Sequence, residues 1–427
     1  MIRRLWIQLN HIRRKVGWGQ FLLFLVHRGS RELLALAVSP KAARTKWRQR
    51  ASVSSIQQAY DFVLREVVPE DPAAVVPART VNWVIPDFGI GSGGHLNIFR
   101  FVCALEKRGY RCAIVLDGKH QFASAEKART AIRENFFPVE AQVYLGIETM
   151  PPAEFVFATS WNTAYSVAAA RGVRHKCYFV QDFEPYFYAH GTDHVFAENT
   201  YGFGFTGVTA GNWLAGKLAA EYGMKTFPLG FSYDKDLYKP PVQARPANDK
   251  RRVFFYARPP TLRRAFEIGV LVLAEVAKRH PDVEIVMAGW DLGAYQLPFR
   301  FVDRGVMALE DLPELFHSCD VALVLSYSNA SLLPVELMAC GCTVVSNRGP
   351  YVEWLLDDSV AKLVDSDVPA IADAICTLID NDAARHALRE AGLRFAHETD
   401  WEREGNRFYD YLEALRAPSQ IGEMERI

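Results

Sequence analysis

The chain has 427 residues, with 49 basic and 49 acidic side chains, 50% hydrophobic residues and 12% aromatic ones. The apolar content excludes a disordered or low-complexity chain, the zero net charge argues against a general nucleic-acid binder, and the length calls for two domains, or three. Seven cysteines with no paired C-x2-C spacing give no zinc knuckle, since Cys340 and Cys342 are one residue apart, and they fit a reducing compartment.

The neutral total hides an uneven distribution. Residues 1–50 carry twelve Lys/Arg against one acid, Glu32, so the rest of the chain is net acidic. Trp6, Trp18 and Trp47 sit among these charges, beside the apolar run Phe21–Val26. That run is too short for a bilayer, which needs about 20 residues, and no small-x-small cleavage site follows it. Basic residues mixed with Trp, Phe and Leu suit an interfacial segment on anionic lipid. The segment is therefore expected to hold the protein on the inner face of the cytoplasmic membrane; the alternative is a basic helical extension docked on the body.

From residue 80 the pattern alternates between short apolar strands and amphipathic helices. Strands are predicted over Val81–Ile85, Cys112–Leu116, Glu154–Thr159, Cys177–Gln181 and Phe205–Thr209, with helices over Gly94–Lys107, Trp161–Arg171 and Asn212–Tyr222. The proline-rich stretch Lys239–Lys250 then reads as a linker. The rhythm restarts with strands Val253–Ala257, Glu284–Ala288, Val321–Leu325 and Thr343–Ser346, and helices Arg263–His280, Glu310–Ser318, Pro334–Ala339 and Val368–Ile379. Repeated strand–helix units mean parallel sheets, so the fold class is α/β with two Rossmann-like domains facing a cleft. The expected organisation is a basic helical extension over 1–78, an acceptor domain over 79–240, a donor domain over 241–398, and a C-terminal helix over 399–427 packing back on the first domain. Ligands of such sheets lie at the carboxyl ends of the strands.

Three segments at those ends carry candidate chemistry. The loop Pro86–His95 holds Gly89, Gly91, Gly93 and Gly94 before a helix, with Asp117 at the end of the second strand. That pattern is close to a dinucleotide fingerprint, yet it equally lets a substrate approach free N–H groups at a helix start. After Val253–Ala257 come Arg258, Arg263 and Arg264, guanidinium groups suited to a diphosphate. Farther on, Ser328-Asn329-Ala330-Ser331-Leu332 leads to Pro334 and Glu336, with Ser331 a candidate helix cap and Glu336 placed to accept ribose hydroxyls. Asp182 and Glu184 follow a strand end, where a carboxylate orients an acceptor hydroxyl or stabilises developing positive charge. His190 and His194 have a metal-like spacing but no third ligand, so no metal is expected.

Arg258 with Arg263, the Ser328–Glu336 segment and Gly341–Ser346 resemble the donor domain of retaining glycosyltransferase family 4, of GT-B architecture. The glycine loop, Val180–Pro185 and Leu229-Gly230 are similar to that family's N-terminal half, and Gln181–Tyr188 is similar to rhamnan-synthesising rhamnosyltransferases that use dTDP-L-rhamnose. One departure stands out: the family's Glu-x7-Glu is Ser328-x7-Glu336 here. The resemblance implies a metal-independent, cofactor-free enzyme of polysaccharide biosynthesis, O-antigen included, that moves L-rhamnose from a nucleotide-sugar donor to a glycan acceptor, one carried on a lipid among the options. Arg258, Arg263, Asp182 and Glu184 are its expected catalytic residues. Gly91, Gly93, Gly94, His95, Arg264, Ser328 to Leu332 and Glu336 are its expected substrate contacts. Two competing readings are a non-catalytic scaffold, from the missing first Glu, and an NAD-dependent dehydrogenase or epimerase, from the glycine loop and Asp117.

Overall fold

The computed structural model describes residues 53–240 and 250–417. The basic segment 1–50, with its expected membrane contact, and most of the expected linker lie outside these residues. The described residues 53–65 belong to a unit of their own, in which the helix Val53–Tyr60 runs into a 3-10 turn, Asp61–Leu64.

The unit from Glu66 onward contains two wholly parallel sheets. The first orders its strands β3-β2-β1-β4-β5-β6-β7, with β1 Thr80–Ile85, β2 Arg111–Leu116, β3 Gln142–Leu145, β4 Phe155–Ala158, β5 His175–Val180, β6 Thr206–Ala210 and β7 Lys225–Leu229. The second orders them β10-β9-β8-β11-β12-β13, with β8 Arg252–Tyr256, β9 Glu284–Ala288, β10 Phe301–Asp303, β11 Val321–Val324, β12 Thr343–Asn347 and β13 Lys362–Val364. Every residue of β1, β4, β11 and β12 is buried, because crossover helices cover both faces of a parallel sheet. Each fully buried Val, Ile or Phe among them contributes about 1.5–3 kcal/mol. In each sheet the strand order reverses beside the first strand, between β1 and β4 and between β8 and β11. Those reversals open a crevice at the carboxyl edge.

The chain returns to the first sheet at its end. The helix Trp401–Arg416 is capped by Asp400, whose side chain accepts from the N–H groups of Glu402 and Arg403. It buries Phe408 completely, edge-on to Trp83, Phe101 and Phe157. Buried Glu404 accepts from the Gly230 N–H, while Glu413 accepts from Tyr110 and Arg79. The last described helix is thus part of the first domain's core.

The two sheets meet through the loops after β5 and β11. Asn329 of the β11 loop, fully buried, donates both amide hydrogens to carbonyls of the first domain, those of Gln181 and Ala210. Its Oδ1 accepts from Trp354 Nε1 and from the Ala330 N–H. All four hydrogen-bonding positions of the side chain are filled.

Candidate functional site

Strand β8 ends at Tyr256 and the chain turns through Arg258 into a 3-10 turn, Leu262–Arg264. Ala265, at φ 46°, ψ 52°, is one of two non-glycine residues held in the left-handed region among the described residues, and it sets the start of the Phe266–Arg279 helix. The backbone there is strained. Arg258 donates to the Tyr256 hydroxyl at 3.3 Å, and its Nε is buried without a hydrogen-bond partner. Arg263 Nε is likewise buried without one; the nearest carboxylate oxygen, Asp182 Oδ1, is 4.0 Å away, and the guanidinium lies 3.9 Å from the centre of the Phe187 ring. Arg264 donates to Ser326 Oγ at 2.8 Å. Burial lowers the Arg264 pKa, Asp182 opposes that, and the positive charges of Arg263 and Arg258 lower it further.

Asp182, at the end of β5, accepts from Ser328 Oγ at 2.7 Å. This contact accounts for the serine: a glutamate at 328 would press a second carboxylate against Asp182, and like charges at this range repel. Glu184 is corrected. Sequence spacing places it on the cleft wall, but the structure buries it, with Trp161 N–H donating to one carboxylate oxygen at 2.8 Å and the Tyr178 hydroxyl to the other at 3.0 Å. Burial pushes its pKa up to about 7, the two hydrogen bonds hold it down, and Asp182 adds repulsion. Glu184 therefore anchors the start of the Trp161–Ala169 helix instead of facing a ligand.

Asn329 is corrected on the same ground, since its four hydrogen bonds leave no capacity for a substrate. Ser328 and Ala330 are buried too, and the Ala330 N–H is held by the Tyr351 carbonyl at 2.7 Å. Ser331 does not cap the next helix: Leu332 takes that position, with no side-chain cap, and Pro334 sits in the first turn of Leu333–Ala339. Glu336, half-buried in that turn, meets a neighbour that sequence reading missed. Burial raises its pKa to about 7, Arg100 of the first domain pulls it back, and Asp234 raises it. Arg100 lies 4.5 Å from the Trp401 ring centre and 5.0 Å from that of Phe137. It falls in the middle of an ordinary amphipathic helix, so nothing local marks it.

The glycine loop opens the Gly93–Glu106 helix. Gly91, at φ 82°, requires glycine, while a Cβ at Gly89, Gly91 or Gly93 would meet no atom within 4 Å, so the loop borders open space. Gln181 ties it to β5, donating to the Gly94 carbonyl at 3.1 Å and accepting from Asn97 at 3.2 Å. His95 pairs through Nδ1 with Ser92 Oγ at 2.8 Å and packs beside Phe88 and Phe99. Burial pushes its pKa down to about 4, so it is neutral near pH 7. His194 Nδ1 lies 2.9 Å from the Pro185 carbonyl, and among the described residues no group of three or more His, Cys, Asp or Glu is arranged to hold a metal ion. No described helix is long and apolar enough to cross a membrane.

Residues 251–376 match the family model of the WsaF C-terminal domain. The O-antigen biosynthesis protein RfbC of Myxococcus xanthus is 31% identical over 396 residues, which is 86% of this chain and 30% of that protein. The chain thus spans under a third of the length of that relative. Sucrose-phosphate synthase from Thermosynechococcus elongatus superposes with a TM-score of 0.62 at 14% identity, over 80% of this chain and 100% of that one. Anabaena HepE, solved in complex with UDP, gives 0.61 at 16% identity, over 78% and 100%. At such identities the likeness speaks for the fold, and with the two parallel sheets it establishes the GT-B architecture for this chain.

Proposed function

We propose that the protein is a glycosyltransferase that moves a sugar, L-rhamnose, from a nucleoside diphosphate donor to a hydroxyl of a growing cell-surface glycan. The observation that carries this reading is the trio Arg258, Arg263 and Arg264, with two buried Nε–H groups lacking partners and a single carboxylate 4.0 Å from the cluster. An enclosed N–H of a cationic group that lacks an acceptor is costly, and an anion with several oxygens, such as a diphosphate, relieves that cost. As the C1–O bond to the diphosphate breaks, its charge grows, and the fixed guanidinium groups stabilise the transition state more than the ground state. The acceptor oxygen bonds to C1 on the same face, and its proton passes to the departing phosphate oxygen. Asp182 orients that hydroxyl, Gly93, Gly94 and His95 flank it, and Glu336 accepts from the ribose. The glycan acceptor is supported by the O-antigen relative, the nucleotide donor by the UDP in the HepE structure. Rhamnose and a dTDP donor rest on the Gln181–Tyr188 resemblance alone. Residues 1–50 hold the protein on an anionic membrane surface where a lipid-linked acceptor is extended.

A thermal-shift panel of dTDP-, UDP- and GDP-sugars tests the donor, with dTDP-rhamnose expected to give the largest rise. A panel in which no nucleotide raises the melting temperature counts decisively against a transferase. For the membrane contact, the full chain should sediment with anionic liposomes at low salt and a chain lacking residues 1–50 should not.

A further inference from the structure

The 3-10 turn Glu184–Phe187 sends its side chains to two places. Phe187 lies under Arg263, while Tyr186, 43% exposed, lines a groove of about 500 Å³. Trp213 and Tyr351 line the same groove, with Asn212, Lys217 and Glu221 supplying polar atoms. The first domain gives most of this lining and the second gives Pro350 and Tyr351, so the groove runs along the junction of the domains. Its volume falls within the roughly 300–1,000 Å³ of small-molecule sites.

Three observations identify the occupant. The rings of Trp213 and Tyr351 meet nearly edge-on, 5.8 Å apart at 80°, so they are not stacked face to face. Lys217 is paired with Glu221 at 2.6 Å, which cancels the charge and makes a poor site for a phosphate or an anionic lipid. Gly216, exposed in the helix Asn212–Tyr222, also lines the groove, and a Cβ there would meet nothing within 4 Å. A glycine inside a helix is unfavourable, and no protein packing asks for this one. It keeps the groove floor clear.

We infer that this groove binds the sugars of the acceptor glycan that precede the reacting one. A sugar ring offers a flat C–H face to an aromatic side chain and hydroxyls to an amide or to a paired charge, and the groove supplies both in Trp213, Tyr351, Asn212 and the Lys217–Glu221 pair. Tyr186 follows Asp182 by four positions, which bounds their backbone separation at about 14 Å, so a glycan ending at Asp182 has its next units within reach of the groove. The inference rests on the transferase reading.

The test uses the full chain and synthetic rhamnose acceptors of one to four units, with Gly216→Leu and Trp213→Ala as variants. The acceptor KM should fall with length in the unmodified protein. Both variants should raise the tetrasaccharide KM about tenfold and leave the monosaccharide KM within about twofold, because only long acceptors reach the groove. Gly216→Leu should melt no lower than the parent, since leucine favours the helix, and Trp213→Phe should recover most of the lost affinity. A KM that ignores length, or a variant that shifts both acceptors alike, overturns the groove. If the unmodified protein transfers no sugar and binds no nucleotide, the transferase reading is the one that fails. Titration of the tetrasaccharide against tryptophan fluorescence then decides the groove alone: saturable quenching lost in Gly216→Leu upholds it, and no binding overturns it.

Discussion

The two walls of the cleft solve opposite problems. On the first domain, buried Glu184 has a donor for each carboxylate oxygen, the Trp161 N–H and the Tyr178 hydroxyl, while its own backbone N–H donates to the Tyr201 hydroxyl. On the second, Arg258 and Arg263 are half-buried, and their Nε–H groups are enclosed without a hydrogen-bond partner. A charge whose partners are built in belongs to the scaffold, and a charge left short of partners is held ready for something that arrives. Position at a strand end does not separate the two cases, because both groups have it.

Substitutions on the two walls should accordingly fail in different ways. Arg258→Ala should reduce transfer by about 10²–10³ with the melting temperature unchanged, the scale of losing one electrostatic stabiliser. Full activity in that variant would remove the diphosphate role. Glu184→Ala should instead lower stability by about 2–4 kcal/mol in urea denaturation, since it strands the Trp161 N–H and the Tyr178 hydroxyl in the interior. An intact stability with lost activity would return Glu184 to the reacting centre.

The same carboxyl predicts a pH dependence. Its folded pKa, about 7, lies above the ordinary 4.5, so between those values the folded chain keeps a proton that the unfolded chain releases. Stability on this account falls as pH rises through the window, by at most about 1.4 kcal/mol per unit. In Glu184→Gln that component of the slope should vanish, and parallel profiles for the two proteins from pH 5 to 7 would contradict it. Ser328→Ala, which removes the hydroxyl donating to Asp182, should have the smallest effect, about 0.5–1.5 kcal/mol. A larger loss would mean that the serine holds the domains together alone.

Much of the fold was legible, and what was missed has one cause. Every unpredicted strand, β3, β7, β10 and β13, is the edge of its sheet. Edge strands are short and half-exposed, so they lack the unbroken apolar runs that give away β1, β4, β11 and β12. The helices Ala125–Asn135 and Asp382–Glu398 were overlooked for the related reason that each buries only two residues. At the site, Arg258, Arg263 and Arg264 could be found because they directly follow a recognisable strand. Arg100 and Asp234 could not, because only the folded chain brings them to Glu336. Glu184 misled because sequence gives the end of a strand but not the direction in which the next side chains turn.

Asn329 has a mechanical consequence. With its amide fixed to Gln181 and Ala210 and its carbonyl oxygen to Trp354, the second domain is pinned to the first at one buried point. Gly211, at φ 90°, lies against Trp354 so closely that a Cβ there would strike the indole ring at 2.4 Å. Any motion that admits a donor without breaking these bonds must rotate the domains about Asn329, as about a pivot. Displacement grows with distance from a pivot, so such a rotation carries Glu336 and Arg258 along arcs while the pinned amide stays in place.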